Sequence, residues 1–290
     1  SIDFKTKHGT VRAVDEVNFD IKRGEVFALV GESGCGKSTT AMGIMRLLQE
    51  PGQIAGGEIV FEGDDLVKLS EKEMTHIRGK EIGMIFQNPL DSLNPVYTIG
   101  SQISEGLIAE GKSKEEAHEI AFKTLKDVKI SDVQSRMKSY PHEISGGMRQ
   151  RVMIAMMLCR NPKLLIADEP TTALDVTIQA GIIELMNELR SKYNSSILMI
   201  THDFGIVADM ADRHPYTKLL MKALPTITKD EGRLETIQGT VPDLSEPIEG
   251  CKFADRCPSC QGICRKERPA LREVSKGHLV ACHCCEGGDV

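Results

Sequence analysis

The sequence predicts an α/β protein with a mainly parallel sheet, an antiparallel β edge, a helical insert and a small, irregular, cysteine-rich C-terminal domain. Three observations predict it. Short apolar runs at Glu25–Val30, Glu81–Phe86, Lys163–Ala167 and Ser196–Ile200 each pass into polar residues, as buried parallel strands do at a ligand-binding edge. From about Ser101 to Met137 the pattern turns helical, and seven of the nine cysteines crowd the last forty residues.

The first segment reads as strands and turns: SIDF, the polar turn KTKHG, then TVRAVDEVNFDI, whose alternation suits an antiparallel edge. Phe4 is either a core aromatic at a strand end or a ring that stacks on adenine. The turn KRG at 22–24 leads into the first buried strand, and Gly31–Thr39, GESGCGKST, comes directly after it. A glycine-rich turn between a strand and the helix-like Ala41–Leu48 is the context of a phosphate-binding loop. Small residues let the N–H groups of Gly31, Ser33, Gly34, Cys35, Gly36 and Thr39 curl around anionic oxygens, and the new helix adds its positive end. Lys37 would reach the β- and γ-phosphates and the Ser38 hydroxyl would hold Mg²⁺. GxxxxGK[ST] arises by accident in roughly one chain of this length in a hundred, so an ordinary strand-to-helix turn is the weaker reading.

Pro51, Gly52, Gly56 and Gly57 then punctuate, EIVFEG reads as a short strand, and Met74–Lys80 as a polar helical stretch before the strand ending at Gln87. NPLDSLNPVYTIG, with two prolines and two asparagines, reads as a flexible connector rather than a core element. Two helices come next, the second with a Ser113–Glu116 capping box. Ser145, Gly146 and Gly147 sit directly before an apolar-periodic helix, either as a plain cap or as a second anion-holding helix start. Asp168 and Glu169 end the next strand, where one carboxylate can bind Mg²⁺ through water and the other can take a proton from an attacking water. TTALD and a long helix lead to the last buried strand, and His202 sits just after it on the same rim.

The formal charge of −6 and the lack of a basic run make nucleic acid an unexpected partner. No apolar stretch approaches the ~20 residues of a membrane span, and no signal pattern opens the chain, so a cytosolic location is expected. In a reducing compartment, Cys251, Cys257, Cys260, Cys264, Cys282, Cys284 and Cys285 make a better metal site than a disulfide framework.

Taken in order, these pieces resemble the ATP-binding subunits of ABC transporters, and within them the peptide and nickel importer group. The resemblance rests on the Walker A loop GESGCGKST, the Q-loop segment MIFQNPLDSLNPVYTIG and YPHEISGGMRQRV in place of the commoner LSGGQ signature. It continues with Walker B LLIADEP, the D-loop TTALD, the switch segment ITHD, and HPYTKLL, GTVPDL and GCKFADRCP in the last part. It implies a nucleotide-binding domain over 1–213, with a helical subdomain at about 88–150, and a C-terminal extension over 214–290. It implies ATP hydrolysis powering import of di- or oligopeptides, or of a related solute such as nickel, at the cytoplasmic face of the cell membrane. The implied partners are two permease subunits, a related ATPase or a second copy of this chain, and indirectly an extracytoplasmic solute-binding protein.

The resemblance also implies site roles. Lys37 and the loop amides hold the phosphates, Ser38 and Gln87 contact Mg²⁺, Asp168 orients the metal through water, and Glu169 is the general base. His202 contacts the γ-phosphate, Phe4 stacks adenine, and Ser145, Gly146 and Gly147 complete the ATP site of the partner chain. Cys251, Cys257, Cys264 and Cys282 match the tail pattern of the family, implying a four-iron four-sulfur cluster, with Zn²⁺ or unliganded thiols as alternatives. A soluble ABC-type ATPase of DNA repair or translation, or a metal- or redox-regulated ATPase, is the alternative function. One departure stands out: Arg213 is succeeded at once by His214, roughly twenty or more residues short of the family pattern, a strand-turn-helix unit in length. With continuous numbering, this reads as a segment left out of the sequence rather than a true deletion.

Overall fold

The computed structural model of the chain describes residues 1–7, 9–87, 92–171, 176–201, 239–240, 248–275 and 278–284. Two compact units divide it, one drawn from Ser1–Ile2 and Val14–His202, the other from Asp3–Ala13 and Asp203–Val290.

In the first unit, β3 (Val26–Val30), β7 (Ile82–Ile85), β8 (Leu164–Asp168) and β9 (Ser196–Thr201) form one parallel sheet in the order β3-β9-β8-β7. All four coincide with the apolar runs of the sequence, shifted by a residue or two at their ends. Strand residues alternate between faces, and both faces are buried along β7, β8 and β9, while β3 is half-buried throughout. Leu164 and Ile166 of β8 join Ile82, Met84, Leu198 and Ile200 in one apolar cluster with Ala41 of α1 (Lys37–Ile44) and Met74 of α2 (Glu71–His76). Leu165 and Ala167 turn the other way, toward α3 (Ile99–Ala109), α4 (Lys114–Asp127), α6 (Gly146–Leu158) and α7 (Val176–Tyr193). The short α5 (Val133–Arg136) lies between α4 and α6 in sequence.

The helical insert is as expected, and α4 is capped by the Ser113–Glu116 box. Three local expectations change. The alternating run after KTKHG is a strand only over β2 (Gly9–Val14), because Glu16 takes a left-handed φ of 51° and breaks it. The Met74–Lys80 helix starts earlier, where Ser70 and Glu73 form a capping box, and continues beyond His76 as a π-helical turn, Ile77–Glu81. The connector after Gln87 is not loose where it is described. Leu93 is buried, and the Gln102 amide takes the Asn94 N–H at 2.9 Å and donates to the carbonyls of Asn94 and Tyr97. Short β4 (Gly52–Ile54) and the antiparallel pair β5 (Val60–Phe61) and β6 (Asp64–Asp65) complete this unit.

The second unit holds β1 (Ile2–Thr6) from Asp3 onward and most of β2, with Arg12 paired to Asp3 at 3.2 Å. It also holds two short 3₁₀ turns, Ala254–Arg256 and Gly262–Arg265, and the antiparallel β10 (Leu271–Ser275) and β11 (His278–Ala281).

Candidate functional site

The parallel register carries the polar residues to one rim. Val30 pairs with Thr201, Asp168 with Ile200 and Ile85 with Ala167, so the segments after β3, β7 and β8 all emerge at the carboxyl edge of the sheet. Gly34 and Gly36 adopt φ of 80° and 95°. Glycine is required there by backbone conformation; at Gly34 a side chain would meet no neighbour, so space is not the constraint. The loop closes on Lys37, which is buried and donates from Nζ to the carbonyls of Gly31 and Glu32, both at 2.9 Å. The Cys35 N–H bonds the Glu32 carbonyl at 3.3 Å, and its Sγ lies 3.9 Å from the Lys37 ammonium. Gly31 is buried, while Ser33, Gly34, Cys35 and Ser38 are exposed. Helix α1 starts at Lys37, inside the loop, so Thr39 belongs to its first turn.

Two side-chain pairs form the rest of the rim. The Ser38 hydroxyl donates to Asp168 Oδ1 at 2.9 Å, and the Gln87 amide donates to Glu169 Oε2 at 2.8 Å. Adjacent strand residues would face opposite sides of a sheet. Here Glu169 takes φ of 48°, with its N–H held by the Ile200 carbonyl at 2.8 Å. A left-handed non-glycine residue costs about 1–3 kcal/mol and marks sites where geometry matters more than stability.

Asp168 is 4% exposed, and burial is the main cause of its carboxyl lying above the ordinary carboxylate range. The Ser38 hydrogen bond and Lys37 pull it down, and Glu169 pushes it up. A buried carboxylate, an adjacent hydroxyl and a lysine at a glycine-rich helix start fit a magnesium–triphosphate, whose cation would relieve the charge that burial penalises.

A family model described as "ABC transporter" matches residues 14–172, which include the loop and both pairs. The chain belongs to the ABC transporter family. A second model, "Oligopeptide/dipeptide transporter, C-terminal region", matches residues 209–264 of this ABC transporter ATPase. The oligopeptide transport ATP-binding protein OppD of Bacillus subtilis (strain 168) is 49% identical over 306 residues, covering 97% of this chain and 86% of OppD. The dipeptide transport ATP-binding protein DppD of Escherichia coli (strain K12) is 44% identical, covering 98% of this chain and 94% of DppD. Among solved structures, dimeric MJ0796, a bacterial ABC transporter cassette, superposes with a TM-score of 0.63 at 31% identity, covering 71% of this chain and 87% of that one. The OppD alignment takes in 97% of 290 residues yet spans 306, so it opens gaps in this chain. The Arg213–His214 junction, His202, the D-loop residues 172–175 and Cys285 lie outside the described residues.

Ser145, Gly146 and Gly147, the segment expected to serve as the signature, occupy the start of α6. Ser145 is its N-cap and accepts the Met148 N–H at 3.4 Å, Gly146 is exposed and Gly147 is buried. A Cβ on Gly147 would lie 3.1 Å from Ile178 Cγ2, so α6 meets α7 closely only without a side chain there. Sequence reasoning missed Gln150, one turn further on. It is 1% exposed and its amide donates to the carbonyl of Pro170, next to Glu169. Gln179 of α7 likewise donates to the Thr171 carbonyl at 3.2 Å. A glutamine in a helix carries no local signal of so distant a partner. Phe4 is half-buried on β1.

In the second unit, Cys251, Cys257, Cys260, Cys264, Cys282 and Cys284 are all free thiols. The Cys251 N–H bonds the Cys264 carbonyl at 2.7 Å, and the Cys284 N–H meets Cys282 Sγ at 3.3 Å. Burial raises the thiols of Cys251 and Cys257, and the neighbouring thiols add to it: Cys264, Cys282 and Cys260 around Cys251, and Cys282, Cys260 and Cys251 around Cys257. Cys284 is pushed up to about 12 by burial first, then by its hydrogen bond to Cys264. The thiols thus share one neighbourhood, although among the described residues no three His, Cys, Asp or Glu are drawn up as a ligand shell.

Proposed function

We propose that this chain is the ATP-hydrolysing subunit of an importer of di- or oligopeptides, working in a pair of ATPases beneath two permease subunits. The observation that carries the reading is the pairing of Ser38 with Asp168 and of Gln87 with Glu169 on the rim that holds Lys37. The identity to peptide-transport ATP-binding proteins supplies the substrate class. Residues 1–213 would form the nucleotide-binding domain, with a helical subdomain at about 88–150, and 214–290 the extension. Among the described residues no helix is long and apolar enough to cross a membrane, and the place we propose for the chain is peripheral, at the cytoplasmic face.

The loop amides and Lys37 grip the β- and γ-phosphates. Ser38, Asp168 and Gln87 are the residues that would hold Mg²⁺, which when bound supplies positive charge against the phosphates. Glu169 accepts the proton of the attacking water while Gln87 fixes its carboxylate, and His202 meets the γ-phosphate. Ser145, Gly146 and Gly147 meet the γ-phosphate bound to the partner, so each site needs two chains and loss of that phosphate opens the pair. Cys251, Cys257, Cys264 and Cys282 would hold a four-iron four-sulfur cluster of structural role, or Zn²⁺. Their shared neighbourhood and freedom from disulfides support it. Protein purified without oxygen should carry iron and sulfide; zinc without iron would sink the cluster.

Copurification with the permeases and binding protein, and then ATPase assays with and without peptide, test the main reading. Peptide-stimulated hydrolysis is expected. Hydrolysis indifferent to peptides but stimulated by another solute would move the substrate class.

A further inference from the structure

We infer that Gln150 is a positioning residue that ties the partner-facing start of α6 to the backbone carrying Glu169, coupling the two ATP sites of the pair. The inference rests on the composite-site reading of the proposed function. Gln150 is almost completely buried, and its amide donates to the Pro170 carbonyl, the first beyond Glu169. A buried amide donor that loses its acceptor stays unsatisfied, so this bond resists breakage. Gln179 holds the next carbonyl, Thr171, from α7 at 3.2 Å. Consecutive peptide carbonyls after the base are therefore fixed from two helices.

Those helices meet on the same face. Gly147 and Gln150 are three residues apart and lie on one side of α6, and Gly147 abuts Ile178, the neighbour of Gln179. Ser145 and Gln150 are separated by little more than a turn of rigid helix, about 7.5 Å at 1.5 Å per residue. A displacement of Ser145 on meeting the γ-phosphate of the partner therefore reaches Pro170 undamped. Glu169 is sensitive to it because it is held in a left-handed conformation between the Ile200 carbonyl and the Gln87 amide. Gln150 is buried and bonded to the backbone beyond Glu169, so it acts through the position of Glu169.

The test uses the assembled transporter and two variants. Gln150→Leu keeps the volume and removes the donor. Gln150→Glu keeps the shape and donates only when protonated, which burial beside a carbonyl favours. In Gln150→Leu, kcat should fall about 10- to 100-fold with KM for ATP changed by less than about 3-fold, and the Hill coefficient should drop toward one. Gln150→Glu should be as slow at pH 8 and recover relative to wild type as the pH falls to 6. Gln150→Leu at the wild-type rate overturns the inference. So do both variants failing equally at every pH with lowered melting temperatures, since the role is then structural alone. Glu169→Gln in parallel separates the two readings. If it still hydrolyses ATP normally, the base assignment falls and this inference with it; if it is blocked while Gln150→Leu is normal, only the inference falls.

Discussion

The rim of the parallel sheet and the thiol-rich part of the second unit both gather ionisable side chains, but by different means. At the rim each polar group already has a protein partner: Lys37 the loop carbonyls, Ser38 Asp168, and Gln87 Glu169. The scaffold beneath it is a sheet whose β7, β8 and β9 are buried on both faces. In the second unit burial first, and neighbouring thiols after it, raise Cys251 and Cys257, on a framework that among the described residues consists of two short 3₁₀ turns and a pair of antiparallel strands. The rim is preorganised by its fold, whereas the thiols stand in no ligand shell among the described residues, and the cation we propose there would have to draw them together.

That contrast can be broken from either side. Lys37→Ala should have the largest effect, costing about 2–5 kcal/mol of ATP affinity, read by nucleotide titration, while the metal content of the second unit stays unchanged. Next, Cys251→Ser with Cys282→Ser should strip the proposed metal and open the Cys251–Arg265 stretch to limited proteolysis. ATP affinity should stay within about 2-fold, the scatter of changes at independent sites; a comparable loss in affinity would show that the two regions are not separate.

Asp168→Asn sharpens the rim side. Because burial holds the Asp168 carboxyl above its ordinary value, the folded state binds the proton more tightly, and stability falls as the pH rises through the window above 3.8. The variant should therefore melt higher than wild type at pH 7 without nucleotide, with the gap closing toward pH 4, and hydrolysis should drop about 100-fold or more. A lower melting temperature would show that the Ser38 bond outweighs burial. The smallest effect is expected at Ser70→Ala, which breaks the α2 capping box and should cost about 1 kcal/mol by denaturant unfolding, leaving both sites intact.

The strands and the rim were legible because buried parallel strands are continuous apolar runs, and the residues after each run must lie at the carboxyl edge. Ser145 was legible as a cap for a similarly local reason. The features that escaped were long-range or conformational. Gln102 holding the Asn94 and Tyr97 carbonyls, and Gln150 reaching Pro170, are side-chain bonds to backbone 5 to 20 residues away, with no sequence period. Glu16 ends β2 by a left-handed turn without a glycine to announce it. The cysteines were legible as a group, but their spacing carries no ligand geometry.

The central claim is that Glu169 is the base of an ATP site completed by a second chain. Glu169→Gln in the purified transporter, with bound nucleotide quantified after incubation with magnesium and ATP, tests it most directly. The account predicts unhydrolysed ATP trapped in a closed ATPase pair. Release of ADP and phosphate at the wild-type rate would contradict it.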